Sequence, residues 1–259
     1  LGLIERMRTS AFIKKYSVQF VSDTGRASQP FYFNTRYDDD VAQTWQVLRS
    51  EFDQMLLNHA RDKGAQVVEE TDVLELLRDG DRVTGVRVRQ PDGTEAEYRA
   101  PITLDCSGKE SFSASRNRWR VRDPELNKVA VWTYYKGAKR DKGIDEGTTT
   151  VAFLPEKGWF WYIPMDGKQL GEASVGLVSG QEYKDEYREM GIEAFYERAL
   201  EKSPFMQSLL GPNCRRITEM SAIKDWAYQS DRTAGPGFFL AGDAAAFLDP
   251  LLSSGGTMA

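Results

Sequence analysis

One histidine, two cysteines and no long apolar run are what this 259-residue sequence has least of. A single histidine, His59, excludes a His-rich metal site, and any Ser-His or Cys-His machinery not built on that residue. His59 falls inside a helical pattern and reads as a solvated helix position. Cys106 and Cys214 lie far apart, give no disulfide framework and suit a reducing cytoplasm. No segment approaches the ~18 apolar residues of a membrane span. The first residues show no signal-peptide pattern. Positive charge is not in excess: 34 Lys and Arg against 39 Asp and Glu leave a net charge of -5. That balance argues against nucleic acid or an anionic membrane as the main partner. There are no repeats and no low-complexity tracts.

What is present is the composition of a globular protein, 41% hydrophobic and 28% charged, over a length that allows a large core or two sub-domains. Leu3, Ile4, Met7 and Ala11 have helical spacing, and "YSVQFV" then alternates as a strand. "TWQVLRSEFDQMLLNHARDKG" predicts a helix, with Leu48, Phe52, Met55, Leu56 and Ala60 in one apolar stripe and Gly64 as its stop. Short strands follow up to residue 108, separated by the turn signals "DGD" and "PDG". Residues 129–135, 150–153 and 172–179 read as strands, and 181–210 as charged, amphipathic helix. "FFLAGDAAAF", 238–247, predicts a buried strand, a tight turn and then a helix. The interleaved order with a strand-rich middle predicts an α/β domain interrupted by a sheet-rich insertion. The chain starts at Leu1 and stops at "SSGGTMA", at what reads as a helix entry, so a fragment is expected.

In "GFFLAGDAAAFLDPLLSSGGTMA" an apolar strand delivers Gly242 to a turn where backbone can approach a ligand closely. Asp243 follows at the strand's carboxyl end, where open α/β sheets bind ligands. A carboxylate there can accept hydrogen bonds from ribose or ribityl hydroxyls. "SSGG" adds small residues and free N–H groups at a helix N-terminus, which favours an anion. On residues alone, a strand-turn-helix with an Asp cap is an equal reading. The segment resembles the second FAD fingerprint of the flavoprotein family that includes aromatic hydroxylases, geranylgeranyl reductases and flavin-dependent halogenases. The resemblance implies that Gly242, Asp243, Pro250 and Gly255 wrap FAD. "TLDCSG", 103–108, is similar to the family's internal D-x-x-G stretch beside the cofactor, which implies a place there for Asp105 and Gly108. "WQVLRSEFDQMLLNHA" resembles the helix that puts an arginine on the cofactor. That arginine is Arg49, which by itself reads as a solvated helix residue. The family's first fingerprint, G-x-G-x-x-G after an N-terminal strand, is missing and is expected upstream of Leu1.

"GWFWYIPM", 158–165, holds two of the chain's six tryptophans, Trp159 and Trp161. By itself it reads as an aromatic-rich core strand. It matches W-x-W-x-I-P, the segment that separates flavin-dependent halogenases from their hydroxylase relatives, at Trp159, Trp161, Ile163 and Pro164. The resemblance implies that bulky rings line a passage between flavin and substrate, so that only a small halogenating agent travels. It also implies a lysine five residues before a phenylalanine on an early strand. "KYSVQF" supplies Lys15 before Phe20, with Lys14 on the opposite face by alternation. A surface lysine is the ordinary reading of Lys15. A halide is implied at the backbone N–H groups of Ser254 and Gly255, in keeping with a helix N-terminus. Tryptophan halogenases of the family carry a glutamate after the Pro-Leu pair, and here Leu252 stands there. Without that base the expected substrate is a phenol or pyrrole, which activates its own ring, free or tethered to a carrier protein.

The combined expectation is an FAD-dependent halogenase-like monooxygenase acting in the cytoplasm. Reduced FAD from a separate flavin reductase, oxygen and chloride or bromide would act on an electron-rich aromatic. Residues 46–108 and 231–259 are expected to form parts of an FAD-binding, Rossmann-like domain of the aromatic hydroxylase type. Residues 1–45 and 109–230 are expected to form the substrate-side sheet and helices. Two alternatives stand beside this: an FAD-dependent reductase of the geranylgeranyl reductase type, and a non-catalytic flavoprotein that kept the fold. No metal site is expected.

Overall fold

The computed structural model describes residues 2–35, 42–126, 128–155, 158–165, 172–180, 183–224 and 227–252. The chain divides into two compact units, Leu1–Leu56 with Lys128–Lys224, and Leu57–Asn127 with Asp225–Ala259. It therefore visits each unit twice.

The first visit builds α1 (Ile4–Arg8), β1 (Ile13–Lys15), β2 (Ser17–Val21), β3 (Phe31–Tyr32), β4 (Thr44–Gln46) and the start of α2 (Arg49–Asp62). β4 pairs antiparallel with β1, setting Lys14 opposite Trp45 and Lys15 opposite Thr44. The helix expected from Thr44 thus begins later, at Arg49. A non-local strand partner outweighs the local helical pattern. The buried Gln46 amide fixes the extended backbone, donating to the Gly147 carbonyl (2.9 Å) and to Thr149 Oγ1 (2.8 Å). Gly64 stops the helical stretch with φ 94°. The expected apolar stripe of α2 is only partly covered, and Phe52 meets Phe12 edge-on at 6.3 Å.

In the second unit β5 (Asp72–Asp79), β6 (Arg82–Arg89) and β7 (Glu95–Arg99) form an antiparallel sheet, followed by β8 (Thr103–Asp105), α3 (Phe112–Arg116) and β9 (Arg120–Arg122). The turn signals of the sequence fall between these strands, as expected.

Back in the first unit come β10 (Lys128–Lys136), β11 (Thr149–Leu154), β12 (Gly158–Pro164), β13 (Ala173–Gly180), α4 (Lys184–Met190), α5 (Ile192–Glu201), α6 (Pro204–Leu210), β14 (Arg215–Arg216) and β15 (Ser221–Lys224). They complete an eight-stranded sheet in the order β14-β10-β13-β12-β11-β2-β3, with β15 also on β10. Among the described residues only β2 and β11 pair parallel within it. Side chains alternate between its faces. Val131, Ala152, Phe160, Tyr162, Val175 and Leu177 lie on one face and form a core with Phe195, Tyr196, Met206 and Leu209 of α5 and α6. Phe160 and Tyr196, both 0% exposed, meet edge-on at 5.6 Å. Burying one such ring is worth roughly 1.5–3 kcal/mol. Gly191 divides the helical run, and Pro204 opens α6 at a position that needs no N–H.

The second unit closes with β16 (Tyr228–Ser230), β17 (Ala234–Gly235), β18 (Phe238–Leu240) and β19 (Ala246–Phe247). β18 runs parallel to β8. Phe238 and Leu240 point into a small core with Val83 and Ala114, where Trp119 stacks on Phe238 at 5.3 Å. Phe239 points the other way and is 46% exposed. The expected helix after the Gly242 turn is a strand instead. Ala246 and Phe247 pair with Gln229 and Tyr228 of β16, and that ladder replaces helical bonds. The architecture is mixed α/β and strand-rich, as the interleaved pattern predicts. No helix among the described residues is long and apolar enough to cross a membrane.

Candidate functional site

The two faces of β12 split the aromatic segment. Phe160 and Tyr162 face the helices and belong to the core. Trp159, Trp161 and Ile163 alternate with them and take the other face. Gly176 of β13 stands opposite Trp161. A Cβ at Gly176 would lie 2.0 Å from Cζ2 of that indole. The Trp161 Nε1 donates to Ser174 Oγ, also on β13, at 3.1 Å. Trp132 of β10 and Trp159 flank Trp161, with ring centroids 6.4 and 6.1 Å away. Three indoles therefore form one row on this face. Trp159 is 7% exposed, and its Nε1 has no hydrogen-bond partner among the described residues. Pro164 ends β12 on the helix side, so the four matched positions do not share a face.

Lys15 lies on β1, where alternation leaves Lys14 exposed and Lys15 partly buried. The Lys15 Nζ is 5.9 Å from the ring centroid of Phe33, which opens the turn Phe33–Thr35. Burial disfavours the charged ammonium and lowers its pKa from the usual lysine value. The backbone around it is held closely. A Cβ at Gly147 would sit 2.1 Å from the Lys14 carbonyl oxygen. The buried hydroxyls of Ser17 and Thr148 are 2.7 Å apart, and the Tyr32 hydroxyl donates to the Asp145 carboxylate at 2.8 Å.

In the second unit the parallel pairing of β8 and β18 brings two turns together at the carboxyl ends of these strands. Asp105 stands opposite Leu240, and the Ala241 N–H donates to the Asp105 carbonyl at 3.0 Å. The turns are Gly108–Glu110 and Gly242–Ala244, and their leading glycines take φ 63° and 58°. At Gly108 no atom lies within 4 Å of where a Cβ would be. The Asp105 carboxylate accepts the N–H groups of Ser107 (3.0 Å) and Ser113 (2.7 Å). Burial pushes its pKa up, but those hydrogen bonds outweigh it and hold the group below the usual carboxylate range. The Asp243 carboxylate, partly buried, has no hydrogen-bond partner among the described residues. Its carbonyl accepts from the Tyr228 hydroxyl at 2.5 Å, and the next carbonyl, of Ala244, accepts from Ser111 Oγ at 2.7 Å.

Of the other expected site residues, Arg49 opens α2 as an exposed side chain paired with Asp53 at 2.9 Å. Pro250 opens a short 3-10 turn, Pro250–Leu252. Ser254 and Gly255 lie outside the described residues.

A family model described as tryptophan halogenase matches residues 4–259. The chain belongs to that family. A tryptophan 2-halogenase of Chondromyces crocatus is 36% identical over 223 residues, covering 85% of this chain and 41% of its own length. The crystal structure of CmlS, a flavin-dependent halogenase, matches with a TM-score of 0.87 at 34% identity, covering 99% of this chain and 46% of that one. A 1H-pyrrole-2-carbonyl (peptidyl-carrier protein) brominase of Pseudoalteromonas luteoviolacea is 28% identical over 261 residues, covering 98% of this chain and 60% of its own length. The chain spans about half the length of these relatives. Its mixed α/β fold is that of the flavin-dependent halogenase structure.

For this member of the tryptophan halogenase family, sequence reasoning misses Ser111, Arg120, Tyr228 and Gly176. The small, alternating residues of "EASVGLVS" are a signal that a bulky ring lies across from them, and they point to Gly176. Nothing local marks the other three, because their partners are distant in the chain.

Proposed function

We propose that this protein uses reduced FAD, oxygen and chloride or bromide to halogenate an electron-rich aromatic ring. One observation carries the reading: in a halogenase-family chain, the indoles of W-x-W-x-I-P lie on the sheet face opposite the helix-packed core, in one row with Trp132. FAD, when bound, supplies the two-electron activation of oxygen. The second unit fits such a group. Gly108 and Gly242 take backbone conformations that suit close approach, and the Asp243 carboxylate is an acceptor without a donor among the described residues. Asp243 would accept from hydroxyls of FAD, while Asp105 would hold the Gly108 turn. We assign Arg49 and Pro250 to the cofactor, and Ser254 and Gly255 to the halide. Residues 46–108 and 231–259 would form the FAD-binding side, and 1–45 and 109–230 the substrate side.

The work of the chain's own residues is exclusion and positioning. Trp159 and Trp161 would keep an organic substrate from the flavin. Lys15 would hold the electrophilic halogen with its amine, and partial burial favours the neutral form that such a bond needs. The ring carbon takes the halogen as its proton leaves. Two relatives support a pyrrole-type ring: one is a tryptophan 2-halogenase, and position 2 lies in the pyrrole half of indole, and the other is a brominase of a carrier-bound pyrrole. With Leu252 where a glutamate base would stand, a phenol or pyrrole, free or carrier-tethered, is the substrate we assign. A separate flavin reductase would supply reduced FAD, and the two free cysteines suit the cytoplasm.

The test supplies reduced FAD, oxygen and a panel of phenols, pyrroles and indoles, with chloride, bromide or neither. Halogenated product that disappears without halide is expected. A product formed equally without halide would overturn the reading in favour of a reductase or hydroxylase.

A further inference from the structure

We propose that Arg120 and Tyr228 are positioning residues that tie the Gly242–Ala244 turn to the Gly108–Glu110 turn and so aim the Asp243 carboxylate. The proposal rests on the reading of Asp243 as an acceptor for FAD hydroxyls. Tyr228 is 1% exposed, on β16. Its ring lies 3.7 Å from the Arg120 guanidinium carbon, and its hydroxyl donates to the Asp243 carbonyl at 2.5 Å. Arg120, on β9, donates through Nη1 to the Lys109 carbonyl at 3.3 Å. One line of contacts therefore runs from the carbonyl of Lys109 in one turn to that of Asp243 in the other.

The backbone beneath supports this line. β9, β16 and β19 form a small sheet in which Arg120 faces Ser230, two residues from Tyr228. That diagonal spacing brings a long side chain across its neighbour's ring. The Arg120 Nε is buried without a hydrogen-bond partner among the described residues. The guanidinium is thus held by the Tyr228 face and by Lys109. From the other side Ser111, 0% exposed and in the left-handed region at φ 50°, gives its hydroxyl to Ala244. Left-handed backbone at a non-glycine residue persists only where its surroundings enforce it. Two successive carbonyls of a three-residue turn are therefore gripped by hydroxyls from distant elements. The direction of the Asp243 side chain follows from that backbone. Burial also pushes the Tyr228 phenol up, which keeps it a donor across the neutral range.

The test is a double-mutant cycle on FAD affinity, read as the dissociation constant from flavin fluorescence in the flavin-binding protein. Tyr228→Phe keeps the ring under Arg120 and removes the hydroxyl, which donates to the Asp243 carbonyl and also meets the Ser111 side chain. It should raise the FAD dissociation constant about tenfold, the order of one hydrogen bond. In an Asp243→Ala background the same change should have no further effect, because the hydroxyl acts through Asp243. Arg120→Met, which keeps an apolar stem over the ring, should weaken FAD in the wild-type background alone. Equal weakening in both backgrounds would mean general support of the fold and would overturn the proposal, as would unchanged affinity of Tyr228→Phe. If Asp243→Ala itself binds FAD as well as wild type, the cofactor reading of Asp243 falls first and the proposal with it.

Discussion

The indole of Trp161 occupies the space that a Cβ on Gly176 would need, with ring atoms at 2.0, 2.3 and 2.4 Å from that position. The glycine is a seat for the ring rather than a flexible point in the strand. Its Nε1 bond to Ser174 and the flanking Trp132 and Trp159 complete the seat. Gly176→Ala should therefore displace the indole and break the bond to Ser174. Overpacking of this kind costs about 1–3 kcal/mol. The expected readouts are a lower urea midpoint and a changed near-UV circular dichroism spectrum from the indole row. Wild-type values for both would show that the ring does not depend on the seat.

Asp105 ties a strand end to the first turn of α3, and the bond is pH-dependent. Its carboxylate is held below the usual range by the Ser107 and Ser113 N–H groups acting against burial. A depressed carboxylate contributes stability above its unfolded-state pKa and loses it as pH falls through the folded value. Asp105→Asn should cost about 1 kcal/mol at neutral pH, discounted for the partial exposure of the group. The difference from wild type should shrink on acidification through and below the usual carboxylate range. Urea midpoints over that range check this; a difference that does not change with pH would assign the effect to shape alone.

The strands of the large sheet were legible because β10, β11 and β13 are apolar runs with clear ends, and the helices α4, α5 and α6 because their stretch of sequence is charged and amphipathic. The partners of short elements were not. Trp45 and Gln46 look helical in sequence and become a strand because β1 lies beside them. Ala246 and Phe247 do the same against β16. In sequence the aromatic segment reads as one unit, and the sheet divides it: alternation sends Phe160 and Tyr162 to the helix-packed core and Trp159 and Trp161 to the opposite face. Gly242 and Asp243 were legible as a turn at a strand end. The grip of Tyr228 and Ser111 on that turn was not, since no periodicity marks a hydroxyl that bonds a distant carbonyl.

Lys15 also carries a pH signature in the fold itself. Burial lowers its pKa, so between the folded and unfolded values the unfolded chain holds a proton that the folded chain has lost. Stability contributed by this site should rise with pH through that window and level off at the ordinary lysine value. Lys15→Met removes the buried charge. It should stabilise the protein most at neutral pH, with the advantage fading toward the alkaline end. Urea midpoints of both proteins across that window decide it, and a constant offset would sink the claim.

The last prediction separates the two neighbouring lysines in chemistry. If Lys15 handles the electrophilic halogen, Lys15→Ala should leave FAD binding and consumption of reduced flavin by oxygen intact, because neither step uses its amine. Halogenated product should fall to background while oxidised halide escapes and reacts with an added scavenger. Lys15→Arg should fail too, since a guanidinium stays protonated and offers no neutral amine. Lys14→Ala should retain most activity, because Lys14 is exposed on the alternate face of β1. In wild type the rate should rise with pH as the Lys15 ammonium loses its proton, with a midpoint below that of an ordinary lysine. Single-turnover assays of the three variants with pre-reduced FAD, halide and a panel of phenols and pyrroles make the comparison. Activity that survives in Lys15→Ala but is lost in Lys14→Ala would transfer the role to Lys14. Activity that survives in both would remove the lysine from the mechanism.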